Sequence, residues 1–161
     1  MTPEEFAAVI KNEGGKTATE EELTAFEQKI GASLPQRLRQ FLKLSSGGLI
    51  LDPPVVYLDS QDRDLRLRHM SDLTEIEKEF TTPRAYPLPR ELLRIGNDSG
   101  GNSIMICLRE DRFGEIFMLH HEMVAYEGEP EPLEEAGDYG LVTRYSQSFE
   151  RFRSDLRIED D

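Results

Sequence analysis

The chain has 161 residues, 37% of them hydrophobic and 32% charged, with one cysteine and a net charge of −13. That length and composition give one globular domain with a core of its own and exclude a disulfide scaffold, while the charge disfavours nucleic acid and anionic membranes as partners. No apolar run approaches the ~20 residues of a bilayer-spanning helix, and Met1 to Phe6 lack the basic and apolar blocks of a signal peptide, so a cytoplasmic protein is expected.

Thr2 to Lys11 predict a short helix: Thr2 caps it, Pro3 suits the first turn, Glu5 stands at the capping-box position, and Phe6, Val9 and Ile10 share a face. A second helix begins at Thr19, with Glu22 completing the box, Leu23, Phe26 and Ile30 on one side and Gly31 as the stop. A third is expected from about Ser33 to Pro35, with Leu38, Phe41 and Leu42 inward and Gln36, Arg37, Arg39, Gln40 and Lys43 in solvent, ending at Ser45-Ser46-Gly47-Gly48.

The pattern then turns to strands. Leu49 to Leu51 and Val55 to Leu58 are expected to be extended, broken by Pro53-Pro54. Charges alternate with leucines from Asp59 to His69, Ser71 is expected to cap a short helix turning Leu73, Ile76 and Phe80 inward, and Thr81 to Pro89 reads as a proline-rich loop anchored by Tyr86. Leu92 to Ile95 gives a short strand and Asn97 to Asn102 a dense turn, with Gly100 and Gly101 at positive φ and Asp98 bonding back to the turn. Ser103 to Leu108 is apolar at almost every position, which fits a strand covered on both faces, and Glu115 to His120 returns antiparallel to it. Val124 to Tyr126 is expected to add a strand, an exposed acidic loop to run to Gly140, and a last helix from Ser146 or Ser148 to carry Phe149, Phe152 and Leu156. Helices first, strands in the middle and a closing helix predict an α+β fold: one domain, a central antiparallel sheet, and N-terminal and C-terminal helices packed on it.

Few side chains in this sequence suggest chemistry. His120 and His121 are adjacent, so on a strand they point apart, and with His69 alone elsewhere no metal-ligand spacing exists. Cys107 lies in an apolar run, as a small buried hydrophobe does. The Asn97 to Asn102 loop lacks the Gly-Lys-Ser/Thr of a phosphate loop and the closing Glu of a calcium loop. No cofactor, metal or catalytic constellation is expected, and an enzyme would need a deep pocket with perturbed carboxylates beside His120. Charge is more informative. Glu122, Glu127, Glu129, Glu131, Glu134, Glu135 and Asp138 crowd the stretch between His121 and Gly140, which holds no Lys or Arg. Acids so placed serve solubility or draw in a basic partner.

The ordered set Thr19 to Leu23, Phe26, Ile30-Gly31, Leu34-Pro35, Phe41-Leu42 and Gly47-Gly48, then Leu93 to Gly96, Asp98, Gly100-Gly101-Asn102, Ile104 to Leu108, Gly114 to Phe117, His120, Ser148-Phe149, Phe152 and Leu156, resembles the SUKH superfamily. That family includes Smi/Knr-type regulators and bacterial immunity proteins. This sequence departs from it at Ser46, at Asn102, and at Phe117, the nearest aromatic to a place where tryptophan is common. The resemblance implies a SUKH-like α+β domain over residues 19–158, preceded by a helical extension (1–18) and followed by an acidic tail (159–161), with Gly31, Leu34, Pro35, Phe41, Gly47, Gly48, Asp98, Gly100, Gly101, Asn102 and Phe149 as its structural signature. It implies no catalytic residues and a protein partner, a basic nuclease- or deaminase-type toxin domain neutralised by direct binding. Glu127, Glu129, Glu131, Glu134, Glu135 and Asp138 are the candidate partner-facing acids. The alternative is an intracellular Smi/Knr-type regulator or scaffold with no toxin partner.

Overall fold

The computed structural model describes residues 1–58, 64–82, 89–125 and 128–159. α1 (Pro3–Val9) and α2 (Glu20–Ile30) each open on a capping box: the Thr2 and Thr19 hydroxyls accept from the N–H of Glu5 and Glu22, whose carboxylates accept from the threonine N–H in return. Gly31 ends α2 in the left-handed conformation, φ 68°. Pro35 is the cap of α3 (Gln36–Leu44), one position earlier than its expected place in the first turn. Leu38, Phe41 and Leu42 are buried as expected. Arg39 is not in solvent: its side chain is 12% exposed because it bridges Glu20 at 2.6 Å and Glu27 at 3.1 Å, tying α3 to α2.

The strands follow: β1 (Gly48–Leu49), β2 (Val55–Leu58) and β3 (Asp64–Met70), then α4 (Leu73–Thr81), then β4 (Leu92–Asp98), β5 (Ser103–Cys107) and β6 (Ile116–Leu119). A short helix α5 (Leu133–Asp138), β7 (Val142–Ser146), α6 (Phe149–Ser154) and β8 (Leu156–Ile158) complete the chain. Among the described residues the sheet order is β7-β6-β5-β4-β3-β2-β8, with β1 also on β3, and every pairing is antiparallel. The α+β fold expected from the sequence is the fold observed.

Period-two alternation divides the central strands between two cores. Ile104 and Ile106 of β5, Ile116 and Met118 of β6, and Leu93 and Ile95 of β4 join the larger core, which also holds the apolar faces of α1, α2, α3, α4 and α6. Met105, Cys107, Phe117, Leu119 and Leu92 point the other way, into a smaller core closed by Leu133, Ala136, Leu141 and Val142. β5 is therefore covered on both faces, as its unbroken apolar run implies. Register shifts in the β3–β4, β4–β5 and β6–β7 pairings mark irregularities of the kind that strengthen twist and curl a sheet.

The signature residues have local physical reasons. Gly47 (φ 69°) and Gly48 (φ 133°) lie where β1 is clamped to the end of α1 by the bonds Lys11 N–H to Leu49 O (2.7 Å) and Leu49 N–H to Lys11 O (3.1 Å). A Cβ on Gly48 would stand 2.0 Å from the Lys11 carbonyl oxygen. Phe41 stacks on Phe6 of α1 at 5.1 Å and meets Phe149 of α6 at 5.3 Å. Leu34 is buried, and its N–H donates to Glu27 at 2.7 Å. The Asp98 carboxylate accepts from the Asn102 N–H (2.7 Å) and side-chain amide (3.0 Å), and of the glycine pair only Gly101, φ 90°, takes positive φ.

Several expectations are corrected. The leucine–charge alternation before His69 ends in a full strand, β3, with Leu65 and Leu67 buried. Asp72, not Ser71, caps α4, and Phe80 remains 38% exposed, its ring edge-on to Phe26. β1 stops at Leu49, short of Ile50 and Leu51. Val124 and Ala125 form no strand but follow a single 3-10 turn, His121–Met123. The next strand is β7, and the acidic stretch before it contains α5. Leu156 belongs to β8 rather than to the last helix. Residues 59–63 at the start of the leucine–charge alternation, residues 83–88 with the Tyr86 anchor, Tyr126, and residues 160–161 of the expected tail lie outside the described residues.

Candidate functional site

α5 follows Pro132, which provides no side-chain cap, and has six residues. Leu133 and Ala136, three apart, are buried in the smaller core. That leaves Glu134, Glu135 and Asp138 exposed on the outer side of the helix. Glu134 and Glu135 stand in its first turn, where the helix dipole favours negative charge.

The candidate acids are not equivalent. Glu134 is clamped by Arg109, whose guanidinium reaches both of its carboxylate oxygens, one at 3.1 Å and the other closer. This bond holds the Glu134 carboxyl down at about 2 and raises Arg109 beyond its ordinary value. Glu131 is half-buried and accepts from the Tyr139 hydroxyl; partial burial of the phenol, then this bond, push Tyr139 up to about 12. Among the described residues, Glu129, Glu135 and Asp138 are exposed and have no cationic side chain within ion-pair distance. Glu127 lies outside the described residues. Tyr139 directly follows α5, and Met123 precedes Val124, which packs on the same smaller core as the helix. Both are more than 40% exposed despite being large and apolar in body, the kind of side chain that anchors protein interfaces.

The side chains that suggested chemistry are scattered and occupied. His120 Nε2 lies 2.9 Å from Thr143 Oγ1, His121 Nδ1 is 2.9 Å from Asn102 Oδ1, and His69 Nε2 is 3.3 Å from Glu75. Cys107 is fully buried, and burial pushes its thiol pKa up, away from the reactive thiolate. Among the described residues no cluster of His, Cys, Asp and Glu could hold a metal ion, and no helix is long and apolar enough to cross a membrane. A groove of about 610 Å³ runs between α1, α3 and α6, lined by Arg37, Lys43, Leu44, Phe149 and Arg153 among others, and neither His120 nor Cys107 lines it.

Residues 17–155 match the SMI1 / KNR4 family (SUKH-1). The chain belongs to that family. No individual curated protein matches it. The SMI1 / KNR4 match begins after α1, yet Phe6 of α1 is fully buried against Phe41, inside the matched span. The SUKH family includes toxin-immunity proteins. Within this SMI1 / KNR4 chain, sequence reasoning missed Arg109 and Tyr139. Both act on acids that it did single out, but Arg109 reaches its partner across 25 positions, a separation no short-range pattern encodes.

Proposed function

We propose that this chain is a non-catalytic, cytoplasmic immunity protein that neutralises a basic toxin domain, of nuclease or deaminase type, by direct binding through the outer side of α5. Membership of a family that includes toxin-immunity proteins carries the reading. The exposed acids Glu129, Glu135 and Asp138, with the exposed Tyr139 and Met123, support the choice of surface. Complementary charge lifts association from ~10⁵–10⁶ toward ~10⁸–10⁹ M⁻¹s⁻¹ at low salt, and an immunity protein must capture its toxin before damage is done. Exposed aromatic and apolar side chains such as Tyr139 and Met123 would supply the slow dissociation.

The test is coexpression with the toxin domain encoded beside this chain's gene, followed by purification of the complex. Rescue of growth together with a stable one-to-one complex supports the reading. Continued killing and no complex would sink it and leave the Smi/Knr-type regulator, whose own gene neighbourhood would carry no toxin.

A further inference from the structure

Arg109 gathers carboxylates from three separate elements. Its Nε donates to Asp111 at 2.6 Å, its Nη1 donates to Glu134 at 3.1 Å, and Glu91, just before β4, lies 3.6 Å away. Its side chain is 28% exposed, but its bonds to Asp111 and Glu134 lie at the surface, where the shared guanidinium rather than burial gives the cluster its hold. α5 needs such a partner. It is two turns long at most, has no side-chain cap, and puts only Leu133 and Ala136 into the core. A helix this short does not persist on its own propensity, and two anchors leave its rotation and pitch loosely set.

We infer that Arg109 is the positioning residue for the acidic surface of α5: by clamping Glu134 to the β5–β6 connection it fixes the direction in which Glu135 and Asp138 face outward. The functional meaning rests on the proposed immunity reading; the clamp itself does not. Glu134 is then an internal strut, and the carboxylates offered to a basic partner are Glu135 and Asp138. Guanidinium suits the role because it stays charged at every working pH and its planar fork matches a carboxylate on two bonds.

The test is amide hydrogen exchange over residues 133–138 in the free full-length chain, for wild type, R109A, R109K and the charge swap R109E/E134R, at low and molar salt. R109A is expected to raise exchange about fivefold at low salt, the scale of a bidentate pair that is partly exposed. R109K should recover part of the protection and the charge swap more of it. The wild-type protection should weaken in molar salt while R109A stays insensitive, which a purely steric role for Arg109 would not produce. Exchange in R109A equal to wild type, or a charge swap as unprotected as R109A, overturns the inference. Because exchange is read without any toxin, its outcome is separate from that of the coexpression experiment.

Discussion

The Tyr57 hydroxyl on β2 donates to the Tyr145 carbonyl on β7 at 2.7 Å, joining strands that stand five places apart in the sheet order. Their rings lie 5.6 Å apart, and Phe152 of α6 stacks on Tyr57 at 5.2 Å. A flat sheet of this order would hold β2 and β7 roughly 24 Å apart at ~4.8 Å per strand. The sheet must therefore curl until its ends approach. α6, which lies between β7 and β8 in sequence, fills the remaining gap with Phe149 and Phe152, both buried.

That closure makes Tyr57 a sensitive site. Y57F keeps the ring and deletes the hydrogen bond, and is expected to cost about 1–2 kcal/mol. Y57A also empties the space between Tyr145 and Phe152, and should cost about 3–5 kcal/mol. Urea unfolding measures both. A Y57F midpoint equal to wild type would mean that the bond does not hold the ends of the sheet together.

Two glycines at positive φ should respond very differently to alanine. At Gly31 (φ 68°) an added methyl group would meet nothing within 4 Å, so G31A carries only the left-handed penalty, about 1–2 kcal/mol. Gly48 (φ 133°) would place its Cβ 2.0 Å from the Lys11 carbonyl oxygen, a backbone atom that cannot move without opening the α1–β1 clamp. G48A is expected to lose about 3 kcal/mol or more, or to leave the chain insoluble. Comparable melting temperatures for the two variants would contradict this.

Local signals were the legible part of this fold. Thr19, Glu22 and Gly31 bound α2 because caps act within four residues, and Ser103 to Leu108 shows a doubly covered strand because both of its faces need apolar side chains. β7 escaped notice because Arg144 interrupts its five residues and an acidic stretch precedes it. α5 escaped because two apolar residues, Leu133 and Ala136, make too little periodicity to distinguish a helix from a loop. In the candidate site the acids were visible as composition. Which of them are spent internally depends on Arg109 and Tyr139, contacts made by the tertiary fold.

Asp72 ties the start of α4 to the segment before α2 from a buried position. One oxygen accepts from the Glu75 N–H at 2.8 Å, capping α4, and the other from the Lys16 N–H at 3.3 Å. It is 5% exposed, so water cannot replace either bond freely. D72A is expected to cost about 2–3 kcal/mol, the lost cap plus an orphaned N–H. D72N keeps one acceptor oxygen and should cost roughly half as much. Equal losses in the two variants by chemical denaturation would show that the acceptors are not what matters.

If the outer side of α5 meets a basic toxin, its unclamped acids should govern how fast. E135K/D138K is expected to slow association at low salt by about tenfold and to flatten its salt dependence, with unfolding free energy nearly unchanged. E134K instead should loosen α5 and speed dissociation. Stopped-flow kinetics with the neighbouring toxin domain separates these effects. An association rate indifferent to E135K/D138K would move the contact surface elsewhere.

His120 predicts how stability depends on pH. Burial lowers its pKa below the ordinary 6.5, with His121 acting in the same direction and Asp98 and Glu122 opposing. The unfolded chain takes up the proton near 6.5, whereas the folded chain resists it until a lower pH. Between those two values the unfolded state binds more protons, so stability rises with pH there. The contribution is complete above about pH 6.5 and drains away as pH falls from there through the folded value. H120Q keeps a polar group facing Thr143 but cannot titrate, so its denaturation midpoint should vary less between about pH 7.5 and about pH 5.5 than that of wild type. The loss tied to the depressed Glu134 carboxyl lies well apart, setting in below the ordinary 4.5 and continuing toward about 2, so it cannot mimic the histidine step. A wild-type slope that survives in H120Q would remove His120 as its source.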